Sequence, residues 1–436
     1  MYSLIERLLK IYPRRYATMA VAFNDRAAIC DQLIESRVEG QIYTGLNGLV
    51  LTAYEKDSLI KLTSLFASIM SKAMGIIVTE LSDTELEELG WPPSLAYALR
   101  HEPPNRWLTP IGRLDFGLDE SGNWQLMEYN SDTPSGSQEV TDVEARLWKA
   151  LRCCEGVARL NPLIGENMLE ALHQEARFLP VPPGYASAEG PMRPPRVGFM
   201  VRGRYLTDLA QVMWYKRGLE ARGLECVVGD PNNLSLVGNR IYLLGEPIDA
   251  LYRLFPIEFL SQEPLFAAYL QANLTGALKC LNNLRGFLAQ SKAIMAWVWH
   301  ERDNYVLFTA DERKAIYSSL PETYLLNALP PNFERGDYII KEFYGREGAE
   351  VYNGAELSDS DWQEIRDYHT YIAQRRINLS AVPHAVVNLA REVQQTEVYP
   401  CVGSFVIGGD WGGCYTRVGG RITTAQAQFI PTLQEV

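Results

Sequence analysis

Over the first hundred positions the apolar residues recur at helical spacing: Leu4, Ile5, Leu8 and Leu9, then Leu59, Leu62, Leu65, Phe66, Ile69 and Met70. This predicts a mostly helical N-terminal region that buries one face and carries no evident chemistry. Pro92-Pro93 and Pro103-Pro104 end it, because proline lacks the backbone donor a helix needs. The period then switches to two. Polar and apolar positions alternate in Arg113-Leu114-Asp115 and again from Trp124 to Asn130, and the intervening Asp119, Glu120, Ser121, Gly122 and Asn123 are turn residues. The expectation is a two-stranded hairpin with Arg113, Asp115, Glu128 and Asn130 on one face.

After the hairpin, Gln138 to Leu160 predicts a helix capped by Ser137, and His173 falls alone on a further helical stretch as a structural residue. Prolines at 180, 182, 183, 191, 194 and 195, with Gly184 and Gly190 among them, mark a domain boundary. Beyond it come a strand from Arg196 to Val201, a helix from Asp208 to Arg222 and a strand from Gly223 to Val228. That order implies parallel pairing around a crossover helix. The loop Arg202-Gly203-Arg204 sits where open α/β sheets take ligands. Short strands occupy 241–260, including Leu251 to Glu258, and 264–300 is helical or apolar. Lys292 lies there among aromatic residues; by residue type alone it is a lysine whose stem covers apolar surface while its head stays in water. Tyr338 opens a strand that ends in the loop Gly345-Arg346-Glu347-Gly348. Tyr399 to Arg421 predicts two strands joined by a glycine-rich turn, with Arg417 on the second. Three units follow: 1–180, 195–262 and 263–436.

Composition narrows the classes. The 436 residues, 47% of them hydrophobic, suffice for two or three units with substantial cores. A balance of 41 basic against 53 acidic side chains, net charge −12, argues against a general nucleic-acid surface and suits a cationic partner. The seven cysteines are odd in number and form no C-x-x-C pair, which fits a reduced, cytoplasmic protein. The N-terminal stretch lacks a long apolar core or cleavage signal, and no apolar run approaches a membrane span, so no membrane partner is expected.

Three polar centres carry the candidate chemistry. Two carboxylates and a carboxamide on the hairpin face form an oxygen-rich set of the kind Mg²⁺ accepts, although a solvated hairpin face accounts for the same residues. The glycines around Arg346 let backbone N–H groups approach an anion, with Lys341 and Arg346 to neutralise it; the spacing is not that of a Walker loop, and a charged hairpin turn remains open. Arg417 alone is equally compatible with a solvated or paired strand residue.

Taken together, Arg113-x-Asp115, Glu128-x-Asn130-x-Asp132-Thr133-Pro-Ser135, Lys341-x-x-x-Gly-Arg346-Glu-Gly and Ser404-Phe-Val-Ile-Gly-Gly with Arg417 resemble the glutathionylspermidine synthase family, over roughly residues 100 to 436 and in the same order. The resemblance implies a mixed α+β and α/β architecture: an ATP-grasp fold with permuted elements, the E-x-N motif preceding the nucleotide lysines. A pre-ATP-grasp-like α/β domain at 195–262 would stand between the hairpin region and a nucleotide-binding lobe at 263–436. It implies an ADP-forming C–N ligase that joins a small-molecule or peptide carboxylate to an amine through an acyl phosphate, using ATP and Mg²⁺. By the same resemblance Asp115, Glu128 and Asn130 hold Mg²⁺, and Lys292, Lys341, Gly345 and Gly348 contact ATP. Thr133 and Ser135 grip the acidic substrate, and Arg113, Arg346 and Arg417 surround the reacting carboxylate and phosphate. Where the family carries an acidic pair for the polyamine, this chain reads Thr207-Asp208. One carboxylate, Asp208, stands there, and the acceptor amine is left open. No Cys/His pair in residues 1–100 suggests the amidase domain of bifunctional members. The alternative is a catalytically silent homologue that binds nucleotide or acts as a scaffold.

Overall fold

The computed structural model describes residues 1–30, 36–38, 40–151, 154–178, 194–238, 240–346 and 348–436. The prolines at 180, 182, 183 and 191 of the expected boundary, and Glu347, lie outside the described residues.

The site is organised by an antiparallel sheet assembled from both ends of the chain. Its order runs Gln428–Ile430, Asp410–Gly419, Val393–Ile407, Ile111–Leu118, Trp124–Asn130, with Val382–Val387 also paired to the long strand. The turn joining Val393–Ile407 to Asp410–Gly419 is Gly408-Gly409, both at positive φ (60° and 84°), where a side chain would be strained. One face of the sheet is covered by the 28-residue helix Ala53–Glu80, started by a capping box between Thr52 and Glu55. Phe66 of this helix meets Phe116 of the sheet with ring centroids 6.1 Å apart, and the Thr63 and Ser404 hydroxyls hydrogen-bond at 2.7 Å. By length and hydropathy the helix is apolar enough to cross a membrane, contrary to the expectation that no run would be; here Phe66, Ile69, Met70, Ala73 and Ile77 are buried in the core.

Among the described residues three four-stranded sheets accompany this one, besides a three-stranded and a two-stranded sheet. The expected parallel unit is present: Lys279–Cys280, Ala250–Arg253, Arg196–Met200 and Glu225–Gly229 pair in that order, with helix Leu206–Glu220 as a crossover. A second antiparallel sheet, Thr323–Leu325, Tyr371–Arg375, Tyr338–Glu342 and Val351–Asn353, holds Lys341. The third joins the chain ends: Tyr2–Ser3, Leu49–Leu51, Thr432–Glu435 and Val157–Arg159.

The single helix expected from Gln138 to Leu160 is broken. A π-helical turn, Glu139–Val143, leads into helix Glu144–Leu151, and Val157–Arg159 is a strand. Gly156 at φ 75° turns the chain, and pairing with Thr432–Glu435 draws the following residues into a sheet. Ser137 does not cap the helix, because its hydroxyl is hydrogen-bonded to that of Tyr215 at 2.5 Å.

Candidate active site

The hairpin forms in the expected register. Arg113 lies opposite Asn130 and Asp115 opposite Glu128, after which a bulge leaves Met127 without a partner on the neighbouring strand. Alternation therefore gathers four polar side chains on the face away from the long helix. Arg113 binds Asp115 with two N–H groups, Nε to Oδ1 at 2.6 Å and Nη2 to Oδ2 at 3.0 Å, and donates to the Ser135 carbonyl at 2.7 Å. Arg417 donates to Asp115 Oδ2 at 3.3 Å from the adjoining strand. Gly403, opposite Asp115, is required here: a Cβ would stand 2.6 Å from Arg113 Cδ. The Asn130 amide lies 3.3 Å from both Asp115 Oδ2 and Glu128 Oε1.

Two lysines face this acidic edge. Lys292 opens helix Lys292–His300 and donates from Nζ to the Gly345 carbonyl at 2.7 Å, with Glu128 Oε2 3.7 Å away. At 5% exposure it is buried, which corrects the expectation of a head reaching into water. Lys341 donates to Gln374 Oε1 at 2.6 Å and to the Met127 carbonyl at 3.2 Å. The hairpin bulge thus supplies a free backbone acceptor for this cation.

The electrostatics of the group are coupled. Burial works against the Glu128 carboxylate, but Lys292, Lys341, Arg417 and Arg113 outweigh it and hold its pKa at about 2. Burial depresses Lys341 to about 8, although Glu128 pulls the other way. Lys292 is lowered for the same reason. At neutral pH the carboxylate is ionised beside cations that gain by meeting more negative charge.

These residues line a cavity of about 370 Å³. Asp115, Glu128, Lys292, Lys341 and Arg417 line it together with the apolar side chains of Ile339, Val351, Ile377 and Leu379. Gly348, at φ 75°, also borders it; a Cβ would lie 2.8 Å from the Thr423 carbonyl. Gly345 is packed as tightly, with its Cβ position 2.8 Å from the Ala349 carbonyl.

As a cation site, the hairpin offers two carboxylates and one carboxamide. Among the described residues no group of three or more His, Cys, Asp or Glu side chains is placed to hold a metal. Both Asp115 oxygens already accept arginine N–H groups, whereas Glu128 is 30% exposed and faces the cavity. The donor set fits a hard cation that keeps waters and shares phosphate oxygens, with Glu128 facing the cavity, Asp115 held at its edge by the arginines and the Asn130 amide beside both.

The remaining expected residues form a neighbouring group. Arg346 does not join Arg113 and Arg417; it donates to Glu258 Oε1 at 2.7 and 3.1 Å and to the Thr133 hydroxyl at 3.1 Å. Ser135 is exposed, and its carbonyl is the acceptor for Arg113. Asp208 lies half-buried in the first turn of helix Leu206–Glu220, whose Gln211 donates to the Pro134 carbonyl at 3.0 Å.

Three contributors were not expected from the sequence: Arg253, Glu258 and Gln374. Asp132 is fully buried against Arg253 at 2.7 Å, and Arg253 also donates to the carbonyls of Asn282 and Phe255 at 2.6 and 3.1 Å. This pair ties the Asp132-Thr133-Pro134-Ser135 loop to the parallel sheet. A single arginine inside the apolar run Leu251-Tyr252-Arg253-Leu254-Phe255 is the signal that could have found it, since a charge there needs a buried partner. Glu258 and Gln374 had no comparable local signature.

Comparison with known proteins places this geometry. The sequence model of a family described as "Glutathionylspermidine synthase preATP-grasp" matches residues 39–435. A Haemophilus influenzae protein bearing the name "Putative acid--amine ligase" is 26% identical over 306 residues, 68% of this chain and 67% of that protein. Among solved structures, a glutathione synthetase-like effector from Globodera pallida, in its apo form, superposes with a TM-score of 0.62 at 10% identity, covering 96% of each chain. That likeness establishes a shared fold.

Proposed function

Because the chain belongs to the glutathionylspermidine synthase pre-ATP-grasp family, we propose that it is an ATP-dependent carboxylate–amine ligase, with a permuted ATP-grasp arrangement in which the hairpin precedes the nucleotide lysines. The observation that carries this is the cavity where Asp115 and Glu128, both hydrogen-bonded by the Asn130 amide, meet Lys292, Lys341 and Arg417. Acidic and basic side chains lining one cavity suit a cation-bound polyphosphate, and the apolar side chains among them suit a base.

In this scheme Lys292 and Lys341 bind the ATP phosphates, and Gly345 and Gly348 let the loop backbone approach them. Glu128 and Asn130, backed by Asp115, would hold Mg²⁺, which supplies charge neutralisation on the phosphates. Thr133, Ser135 and Arg346 orient the acidic substrate. Its carboxylate oxygen attacks the γ-phosphorus, the bond to the ADP oxygen breaks, and ADP leaves. The amine nitrogen then attacks the acyl carbon, phosphate departs with the C–O bond, and the nitrogen loses a proton to solvent. Arg113 and Arg417 stabilise the negative charge that builds during both transfers. Asp208 would receive the ammonium group of the acceptor.

The test is release of ADP and phosphate by purified protein over a matrix of small acids and amines. Turnover should require one of each, and Asp115→Ala should abolish it. Undiminished turnover in that variant, or tight ATP binding with no ADP formed from any pair, overturns the proposal.

A further inference from the structure

The alternation that turns Glu128 and Asn130 toward the front cavity turns Tyr129, between them, to the opposite face of the sheet. There a second cavity of about 390 Å³ opens between the long helix near Ala67–Gly75, the segment 104–109, and the loop carrying Asn283 and Arg285. Its lining shares no residue with the front cavity.

The charge of this rear cavity is one-sided. Lys72, Arg106 and Arg285 line it and no Asp or Glu does, in a chain whose net charge is −12. Lys72 is bonded to Glu312 at 2.7 Å, so its charge is shared. The two arginines are freer. Arg106 is exposed, and its guanidinium lies 5.1 Å from the centre of the Trp107 ring with no carboxylate bound to it among the described residues. Among the described residues the Arg285 guanidinium hydrogen-bonds only at long range, to the Leu99 and Arg100 carbonyls at 3.5 and 3.4 Å. The nearest acid to Arg285, Glu102, is taken up by the backbone N–H groups of Leu284 and Arg285 and by Asn273.

Two largely buried side chains border the cavity, each with a donor that no described residue accepts. Tyr129 is 3% exposed, and its hydroxyl makes no hydrogen bond among the described residues. Asn283 is 2% exposed; its Oδ1 accepts the Gly286 N–H at 2.8 Å, while its Nδ2 donates to nothing described. Both side chains are more than nine-tenths buried, yet neither donor atom is sealed off from the cavity, and two open donors beside two arginines suit an oxygen-bearing ligand. Ala67, Met74, Leu108 and Val406 make up the apolar wall, and the volume exceeds what a bare inorganic anion fills.

We propose that the rear cavity is a binding site for a small organic anion, a carboxylate or phosphate monoester with an apolar body. Arg106 and Arg285 provide the charge, and the Tyr129 hydroxyl and Asn283 amide provide the hydrogen bonds. Guanidinium groups suit either oxyanion through paired N–H donors.

The test is calorimetric titration of the whole protein with benzoate, phenyl phosphate and uncharged benzyl alcohol. At least one anion should bind saturably and the alcohol should not; the preferred anion identifies the headgroup. Arg106→Gln, at an exposed position that leaves the fold intact, should weaken binding about tenfold, the usual order for one charge-assisted contact. The Arg106→Gln/Arg285→Gln double variant should weaken it further, and Lys341→Met in the front cavity should leave it unchanged. No saturable binding of either anion, equal binding of the alcohol, or loss in Lys341→Met with retention in Arg106→Gln overturns the proposal.

Discussion

Replacing Lys341 by methionine tests whether the front cavity stores electrostatic strain for a ligand. Burial brings the Lys341 pKa from 10.5 down to about 8. Keeping it protonated at pH 7 therefore costs the folded state at most about 3 kcal/mol relative to the unfolded chain, at 1.36 kcal/mol per pKa unit. Methionine fills a similar volume and removes that cost, while leaving Gln374 Oε1 and the Met127 carbonyl without their donor. Leaving two acceptors unpaired returns about 2 kcal/mol, at about 1 kcal/mol each. The variant should thus be more stable than the parent by about 1 kcal/mol at pH 7, while losing nucleotide binding. The pH dependence has a fixed sign. Between about pH 8 and 10.5 the unfolded chain holds the lysine proton and the folded chain has shed it, so the parent gains stability as pH rises through that window. The advantage of methionine is complete below pH 8 and fades toward pH 10.5. Urea unfolding of both proteins without nucleotide at pH 7, 8.5 and 10 measures it. A parent more stable than the variant at pH 7, or a difference that ignores pH, refutes the reasoning.

Two other substitutions probe the supports. Arg253→Met leaves the Asp132 carboxylate buried without its partner and should cost about 3–5 kcal/mol, seen as a lowered urea midpoint that adding Asp132→Asn partly restores. Gly348→Val forces a β-branched residue to φ 75° with its Cβ 2.8 Å from the Thr423 carbonyl; it should cost about 1–3 kcal/mol and weaken ATP binding in calorimetry, and unchanged affinity would separate this loop from the nucleotide.

What could be foreseen from the residues followed from periodicity. Alternation around Leu114 and Tyr129 put Arg113, Asp115, Glu128 and Asn130 on one face, and antiparallel pairing then brought them together. The strand–helix–strand unit from Arg196 to Gly229 was legible for the same reason. Features set by distant contacts were not. Lys292 looks like a surface lysine in its own helix; only the arrival of Glu128 and the Gly345 carbonyl makes its burial tolerable. The break at Gly156 depends on a strand at the other end of the chain. Glu258 gains its meaning from Arg346, which lies on a different sheet's loop.

The long strand Val393–Ile407 has a consequence for the order of events in folding. It is the strand against which Ile111–Leu118 pairs, and Ile111 meets Ile407. The hairpin that carries Asp115 and Glu128 therefore emerges from the ribosome roughly 300 residues before its neighbour exists, a very non-local pairing. In the interval its open edge is a template for wrong partners. Stalled or truncated synthesis short of residue 407 should thus yield aggregation-prone chains rather than partly active ones, and the site becomes competent only once Arg417 on the following strand has also been made.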